Sequence, residues 1–352
     1  MTRQKKITRA STTVDLLVLA EIVERFTART VVILGDSVAD SFQYGEITRV
    51  SREAPVLILR HRESQIVPGG GANAANNFAS LGARAIPVTA VGDDPEGDAI
   101  VALFREKKID LSGVILAKGW RTPTKARFLA GWAHTVGQQV LRVDYEPETE
   151  LPEAARKKIA KLFTAKIRKA DALAISDYGF GVATPVEVRA LSARVKHEIP
   201  VTLDSRHRLG DFQRAGVSAA TPNEAELETL HHTTIGKNIA ELERCGESTL
   251  RALKLSSLLV TRGRDGMALF QPGLETVHIP VHGSDQAVDV TGAGDTVLAA
   301  YTLALASGAK PLEAAFLANI AGGLVVMKRG TATVSHEELL NAIKQSASEP
   351  SP

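Results

Sequence analysis

The run Asp289-Val290-Thr291-Gly292-Ala293-Gly294-Asp295 leads directly into Thr296-Val297-Leu298-Ala299-Ala300-Tyr301-Thr302-Leu303. The second stretch reads as a helix and closes at Ser307-Gly308. Gly292, Ala293 and Gly294 therefore stand at a helix N-terminus, where free N–H groups and the helix dipole attract an anion. Glycines let the backbone come close to a phosphate. A carboxylate in the same turn is repelled by that phosphate, so Asp295 needs a purpose. As a general base it would take the proton from an attacking hydroxyl while the amides hold the transferring phosphoryl oxygens. A glycine-rich turn carrying a favourable first-turn acid accounts for the same residues without chemistry.

A second glycine run is Pro68-Gly69-Gly70-Gly71-Ala72-Asn73-Ala74-Ala75-Asn76-Asn77. Gly69, Gly71 and Ala74 match the dinucleotide fingerprint G-x-G-x-x-A, but that fingerprint follows a first buried strand. Here the preceding residues are Arg60, His61, Arg62 and Glu63. A glycine turn opening a helix, with Asn73 facing a polyol, fits as well. The chain has no G-x-x-x-x-G-K-[ST] and no H-E-x-x-H, which excludes a P-loop NTPase and that zinc motif. His231-His232 reads as a surface pair rather than a metal site.

These segments need a scaffold. Short apolar runs recur at Val31–Leu34, Ile86–Val91, Leu173–Ile175, Val201–Leu203, Val217–Ala220 and Leu258–Val260. Helix-like stretches lie between them, at Gly97–Lys107, Pro152–Lys169 and Pro185–His197. Continuous apolar strands alternating with helices predict an α/β fold, a parallel sheet covered on both faces. Each run ends in polar or glycine residues, among them Asp36, Asp94, Asp177, Asp204 and Asn223. In open α/β sheets ligands bind beyond the carboxyl ends of the strands, so these ends predict one shared crevice. Phe42–Glu63 and Gly119–Asp144 lack helical spacing and carry Phe42, Tyr44, Trp120 and Trp132. They predict a small antiparallel β lid with exposed aromatics, or ordinary edge hairpins.

Composition narrows the classes. Hydrophobic residues are 44% and charged residues 23% of the 352, the balance of a folded chain. Lys plus Arg is 42 and Asp plus Glu 40, a formal net charge of +2, which lacks the basic excess of a nucleic-acid binder. The one cysteine, Cys245, excludes a disulfide framework and suits a reducing, cytoplasmic compartment. The longest apolar stretches, such as Leu298–Ala306, fall far short of the roughly 20 residues a bilayer requires. Arg3, Lys5, Lys6 and Arg9 begin the chain, but Asp15 and Glu21 interrupt the apolar residues that follow. An amphipathic helix over Val14–Arg25, capped by Ser11 or Thr12, is expected.

Three motifs taken in order, Gly69 to Ala75, Thr221-Pro222-Asn223-Glu224-Ala225-Glu226 and Asp289 to Asp295, resemble the ribokinase-like (PfkB-type) carbohydrate kinases. The likeness runs from about Thr30 to Asn341. Within the family, Gly35 to Gly45, Arg49 to Val56, Leu141 to Asp144, Ser176-Asp177-Tyr178 and Lys328 to Val334 resemble the D-glycero-β-D-manno-heptose 7-phosphate kinases. The resemblance implies a ribokinase-like kinase domain over 30–345, an N-terminal helical extension over 1–29 and a tail over 346–352. It implies transfer of the ATP γ-phosphoryl group to a sugar hydroxyl, with Asp295 as base and Gly292, Ala293 and Gly294 as anion hole. Asn223 and Glu226 would order Mg²⁺ and its waters. Thr261, Arg262, Gly263 and Gly266 would lie along the nucleotide, and Asn319 near adenine. Asp36, Asp40, Gly70, Gly71, Asn73 and Asp177 would hold the sugar, and Lys125, Arg127 and Arg142 a sugar phosphate. A homodimer through the lid is implied, and a monovalent cation is a further candidate cofactor.

One departure keeps the substrate open. Where such heptose kinases commonly carry Asp-Pro-Lys, this chain has Asp204-Ser205-Arg206-His207. Arg presents a planar fork where Lys presents a point charge. A kinase of another sugar, sugar phosphate or nucleoside stays in view, as does an inactive sugar- or nucleotide-binding regulator. Some relatives carry a nucleotidyltransferase domain, which this length does not accommodate, so such a step is expected from another protein.

Overall fold

The computed structural model describes residues 14–132, 138–195, 199–283 and 286–348. The chain begins with α1 (Leu16–Glu24), β1 (Thr30–Gly35), β2 (Ser37–Val50), β3 (Leu57–Gly70), α2 (Gly71–Ser80) and β4 (Arg84–Gly92). Next come α3 (Pro95–Glu106), β5 (Val114–Ala117), β6 (Thr124–Gly131), β7 (Gln138–Tyr145), α4 (Glu153–Lys166), β8 (Ala172–Asp177) and α5 (Pro185–Ser192). Then follow β9 (Val201–Ser205), β10 (Ala219–Ala220), α6 (Glu224–His231), α7 (Ile239–Leu253), β11 (Ser257–Thr261), β12 (Met267–Phe270) and β13 (Val277–Ile279). The last elements are α8 (Ala293–Ala306), α9 (Pro311–Val325) and α10 (His336–Ser348).

Nine strands form the main sheet in the order β13-β12-β11-β10-β9-β8-β1-β4-β5. Pairing is parallel from β10–β11 through to β4–β5, and antiparallel only at the β11–β12–β13 edge. The central strands are apolar on both faces because both faces are covered. In β1, Val31 and Ile33 join one core cluster and Val32 and Leu34 the other. The first cluster includes residues of α1, α2, α8, α9 and α10; the second includes residues of α4 to α7. Helix α8 is buried almost throughout, and its hydroxyls find partners inside. Tyr301 Oη donates to Ser257 Oγ at 2.8 Å, Thr296 Oγ1 donates to Asn77 Oδ1 at 2.6 Å, and Thr202 and Thr302 hydroxyls meet at 2.6 Å. Helices apolar all round belong in the interior.

The second sheet has the order β3-β2-β6-β7. Its two hairpins are antiparallel, but β2 and β6 pair in parallel, so the lid is mixed rather than wholly antiparallel. The reason lies in the chain path. Strand β2 leaves the carboxyl end of β1 and β6 follows the carboxyl end of β5, and β1, β4 and β5 are parallel, so both run outward in one direction. Trp120 is 3% exposed, against the expectation of an exposed lid aromatic. Phe42 and Tyr44 are half-buried and stack at 6.4 Å, while Trp132 is 55% exposed.

The first helix starts at Leu16 with Asp15 as its cap, its carboxylate accepting from Leu17 N–H at 2.9 Å. Asp15 interrupts the apolar pattern because it caps the start of the helix; Ser11 and Thr12 lie outside the described residues. Helix α5 stops at Ser192, short of the expected His197, which falls outside the described residues.

Candidate active site

A cleft of about 830 Å³ opens at the carboxyl ends of β8 to β11, between the main sheet and the small one. It lies beyond the carboxyl ends of parallel strands, the place an open α/β sheet offers a ligand. One wall is the N-terminus of α8. Gly292 caps that helix with φ +77°, in the left-handed region that only glycine enters freely. A Cβ there would stand 2.7 Å from Asn73 Nδ2. Asn73 in turn donates to Asp295 Oδ2 at 2.7 Å. Two motifs 222 residues apart in sequence thus meet at one carboxylate.

Asp295 is 3% exposed, and its Oδ1 has no hydrogen-bond partner among the described residues. Burial, then the charges of Asp204 and Asp40, hold its pKa well above the carboxylate range, against the Asn73 bond. Asp204, at the end of β9, is pushed up to about 7 by burial and by Asp177, and relieved by Arg206. Its Oδ2 lies 3.9 Å from where a Cβ on Gly294 would stand. Glu226 rises to about 8 through burial and the Asp204 charge. Mutual repulsion of this kind across a cleft marks a place for a cation.

Asn223 and Glu226 form a reciprocal cap at the start of α6. Glu226 N–H donates to Asn223 Oδ1 at 2.8 Å and Asn223 N–H donates to Glu226 Oε2 at 2.9 Å. Among the described residues no three His, Cys, Asp or Glu side chains cluster as a ready metal cage. The donors suit Mg²⁺, which keeps most of its waters and bridges to phosphates.

The cleft also gathers cationic side chains. Lys125, Arg127 and Arg142 come from β6 and β7, and Arg206 from the turn after β9. Burial and the nearby charges of Arg206, Arg142 and Arg127 lower the Lys125 pKa, with Asp40 opposing. Arg127 pairs with Asp40 at 2.6 Å and Arg142 grips Asp144 with two bonds of 2.7 Å. Lys125 Nζ sits 5.0 Å above the Tyr178 ring instead.

The structure gathers most of the expected residues into this cleft: Asp40, Gly70, Asn73, Lys125, Arg127, Arg142, Asn223, Glu226, Thr261, Gly263, Gly266, Gly292, Ala293, Gly294, Asp295 and Asn319. Four are not among its lining. Asp36 is 1% exposed and accepts from the N–H groups of Tyr178, Phe180 and Val182 at 2.9, 3.2 and 2.8 Å, so it fastens a loop rather than facing a sugar. Burial nevertheless pushes its pKa up to about 6. Gly71 serves close packing, since a Cβ there would come 2.9 Å from the Gly35 carbonyl carbon. Asp177 is 1% exposed and engaged with Ser205 and Arg208. The Arg262 guanidinium turns to Glu224, donating through Nε at 2.8 Å. Asp36→Ala would orphan three amides and lower stability by about 2–4 kcal/mol. Urea unfolding measures this, and a loss below about 1 kcal/mol would contradict it.

Tyr178, Asp204, Arg206, Arg264, Thr221 and Thr331 also line the cleft, and sequence reasoning gives none of them a ligand-binding role. Asp204 enters only as a strand end, Arg206 as a departure, and Tyr178, Thr221 and Thr331 as motif members. Thr221 Oγ1 and Thr331 Oγ1 are also buried without partners. Nothing in the sequence marks Arg264.

The profile described as pfkB family carbohydrate kinase matches residues 29–338. The chain is similar to curated proteins named "Bifunctional protein HldE". The one from Caulobacter sp. (strain K31) is 40% identical over 326 residues, 92% of this chain and 64% of that protein. The one from Haemophilus influenzae (strain PittEE) is 38% identical over 328 residues, 92% of this chain and 66% of that protein. The chain thus spans just under two thirds of these relatives. In fold it is similar to Arabidopsis thaliana ribokinase complexed with ribose and ATP, with TM-score 0.70 and 20% identity over 90% of this chain and 99% of that one. It is also similar to Escherichia coli phosphofructokinase-2 in complex with fructose-6-phosphate, with TM-score 0.71 and 19% identity over 91% and 99%. With Asp295 beside a glycine turn in the cleft of a ribokinase-like fold, and a matching profile over most of its length, the chain belongs to the pfkB family of carbohydrate kinases.

Proposed function

We propose that the chain phosphorylates a hydroxyl of a sugar that already carries a phosphate, with D-glycero-β-D-manno-heptose 7-phosphate as acceptor and the 1,7-bisphosphate as product. The observation that carries this reading is the pairing of two charges in one cleft. Asp295 Oδ1 stands bare at the amide turn, and Lys125 and Arg206 line the same cleft without ion pairs among the described residues. A phosphate at one end of the acceptor and a hydroxyl at the other would satisfy both.

The residues divide the work. The N–H groups of Gly292 to Gly294 hold the transferring phosphoryl oxygens, and Asp295 Oδ1 takes the acceptor's proton. Asn73 fixes the other carboxylate oxygen, so the proton has one destination. Thr261, Gly263, Gly266 and Asn319 line the nucleotide end. Asp204, Asn223 and Glu226 would hold Mg²⁺ and its waters, and the ion would screen the clustered phosphate charge. The pfkB family match supports a sugar or sugar phosphate as acceptor, and the likeness of Gly35 to Gly45, Leu141 to Asp144 and Lys328 to Val334 to heptose 7-phosphate kinases points to the heptose. A coupled ADP-release assay over a panel of sugars and sugar phosphates tests it. Heptose 7-phosphate should give the highest kcat/KM, and a preference for a neutral sugar or a nucleoside would overturn the reading.

The acid limb of the rate follows from the Asp295 environment. The base works only when ionised, and burial with Asp204 and Asp40 raises its pKa. The fall in kcat/KM should therefore begin well above the ordinary carboxylate range near 4 and approach tenfold per pH unit. A rate that stays level down to pH 5 would remove Asp295 as base. Among the described residues no helix is long and apolar enough to cross a membrane. The small sheet exposes Val50, Leu57, Val140 and Leu141, which suits pairing of two lids in a homodimer. Light scattering that returns a monomer would end that inference.

A further inference from the structure

Asp177 was expected to touch the sugar, yet it lies beneath the cleft, and a turn is wrapped around it. Its carbonyl accepts from Arg206 N–H at 3.1 Å. Its carboxylate accepts from Ser205 Oγ at 2.7 Å, from Gly179 N–H at 3.1 Å and from the Arg208 guanidinium, whose Nε is 3.3 Å away. Ser205 Oγ also accepts from Arg208 N–H at 3.3 Å, which closes the ring. Residues 205 and 208 are thus tied down, while Arg206 and His207 between them line the cleft. Asp177 and Ser205 are each 1% exposed, so water does not compete for these bonds.

Arg206 needs such a hold. Arg206 is itself exposed; the Lys125 ammonium and the Asp204 and Glu226 carboxylates are its charged neighbours, and among the described residues it makes no ion pair. On a loose turn an exposed guanidinium would sample many directions. The Ser205 hydroxyl stiffens the turn through its hydrogen bonds with Asp177 and Arg208.

We infer that the Ser205–Asp177–Arg208 network is a positioning device that aims Arg206 at the anionic group of the acceptor, so that these buried residues set specificity for a phosphorylated sugar without touching it. The inference rests on the phosphorylated-acceptor reading above. Arg206 supplies a planar fork that meets a phosphate with two bonds, and such a fork discriminates only when its plane is held. The Asp177 ring holds the backbone on either side of it.

The test is a double-mutant cycle with D-glycero-β-D-manno-heptose 7-phosphate and the same heptose without its phosphate. Wild type should favour the phosphorylated sugar by more than about 100-fold in kcat/KM, since two charge-assisted contacts are at stake. Equal use of both sugars would sink the phosphorylated-acceptor reading itself. Given that preference, Ser205→Ala should raise the KM for heptose 7-phosphate about tenfold. Its kcat and its KM for ATP should stay within about twofold, because the turn lies at the acceptor end. Arg208→Lys, which keeps charge but loses the fork, should give an intermediate KM. Arg206→Ala should raise the KM further, and adding Ser205→Ala to it should change nothing more. Effects that multiply, an equal loss with the unphosphorylated heptose, or a matching rise in the KM for ATP would overturn the positioning role while leaving the acceptor reading intact.

Discussion

Asp295→Asn is expected to lower kcat by about 10²- to 10⁴-fold, the span of a general base, while nucleotide affinity stays close to normal. The same change should leave the fold intact or firmer. Asp295 is buried, and its charge is opposed by Asp204 and Asp40. Removing that charge relieves the repulsion, and the variant's amide oxygen can still accept from Asn73. Activity and stability should thus move in opposite directions, as they do where a site holds strain for a purpose. A first-turn acid that only completed a helix dipole would behave otherwise. It would cost a few tenths to about 1 kcal/mol of stability and leave turnover alone. Steady-state kinetics, calorimetric titration with ATP and a thermal melt on one preparation separate the two. Turnover within tenfold of wild type would remove Asp295 from the chemistry.

Gly292→Ala should be the second most damaging change. At φ +77° a side chain is strained, by roughly 1–2 kcal/mol. The larger effect is local. The new methyl would stand 2.7 Å from Asn73 Nδ2, the group that fixes Asp295. Asn73 must move or the amide turn must, and either misaligns base and cradle together. Loss of one anion-hole donor costs about 10²- to 10³-fold in kcat, and that is the expected fall. Gly294 provides the control, because a Cβ there has open space up to Asp204 Oδ2 at 3.9 Å. Gly294→Ala should therefore cost less than Gly292→Ala. The reverse order in kcat would contradict the geometry.

Much of the scaffold is legible in the sequence because buried parallel strands write themselves as apolar runs with polar ends. Val31–Leu34 and Leu173–Ile175 fall inside β1 and β8, and Thr296–Leu303 inside α8. The cleft at the strand ends follows from the same pattern. The fate of individual strand-end acids does not. Asp36, Asp177 and Asp204 look alike in sequence, yet only Asp204 faces the cleft. A carboxylate at a strand end can also gather the amides of the next loop, as Asp36 does for residues 178 to 182. That choice depends on a loop 142 or more residues away, which no local spacing encodes. The Arg262 guanidinium stays out of the cleft lining for a like reason: Glu224, 38 residues earlier, captures it. Tyr178 escapes notice because its role depends on Lys125 arriving from another sheet. The parallel β2–β6 contact was hidden because hairpins are readable one at a time and their mutual direction is not.

The site divides along a seam of construction. The amide turn and Asp295 ride on α8, a helix locked inside the main body, whereas Lys125, Arg127 and Arg142 come from hairpins that leave the sheet and return to it. On the proposed reading, the phosphoryl machinery and part of the acceptor's binding surface therefore sit on separable pieces. Altering the outer ribbons would retune the acceptor while α8 and the Arg206 turn of the main sheet stay in place.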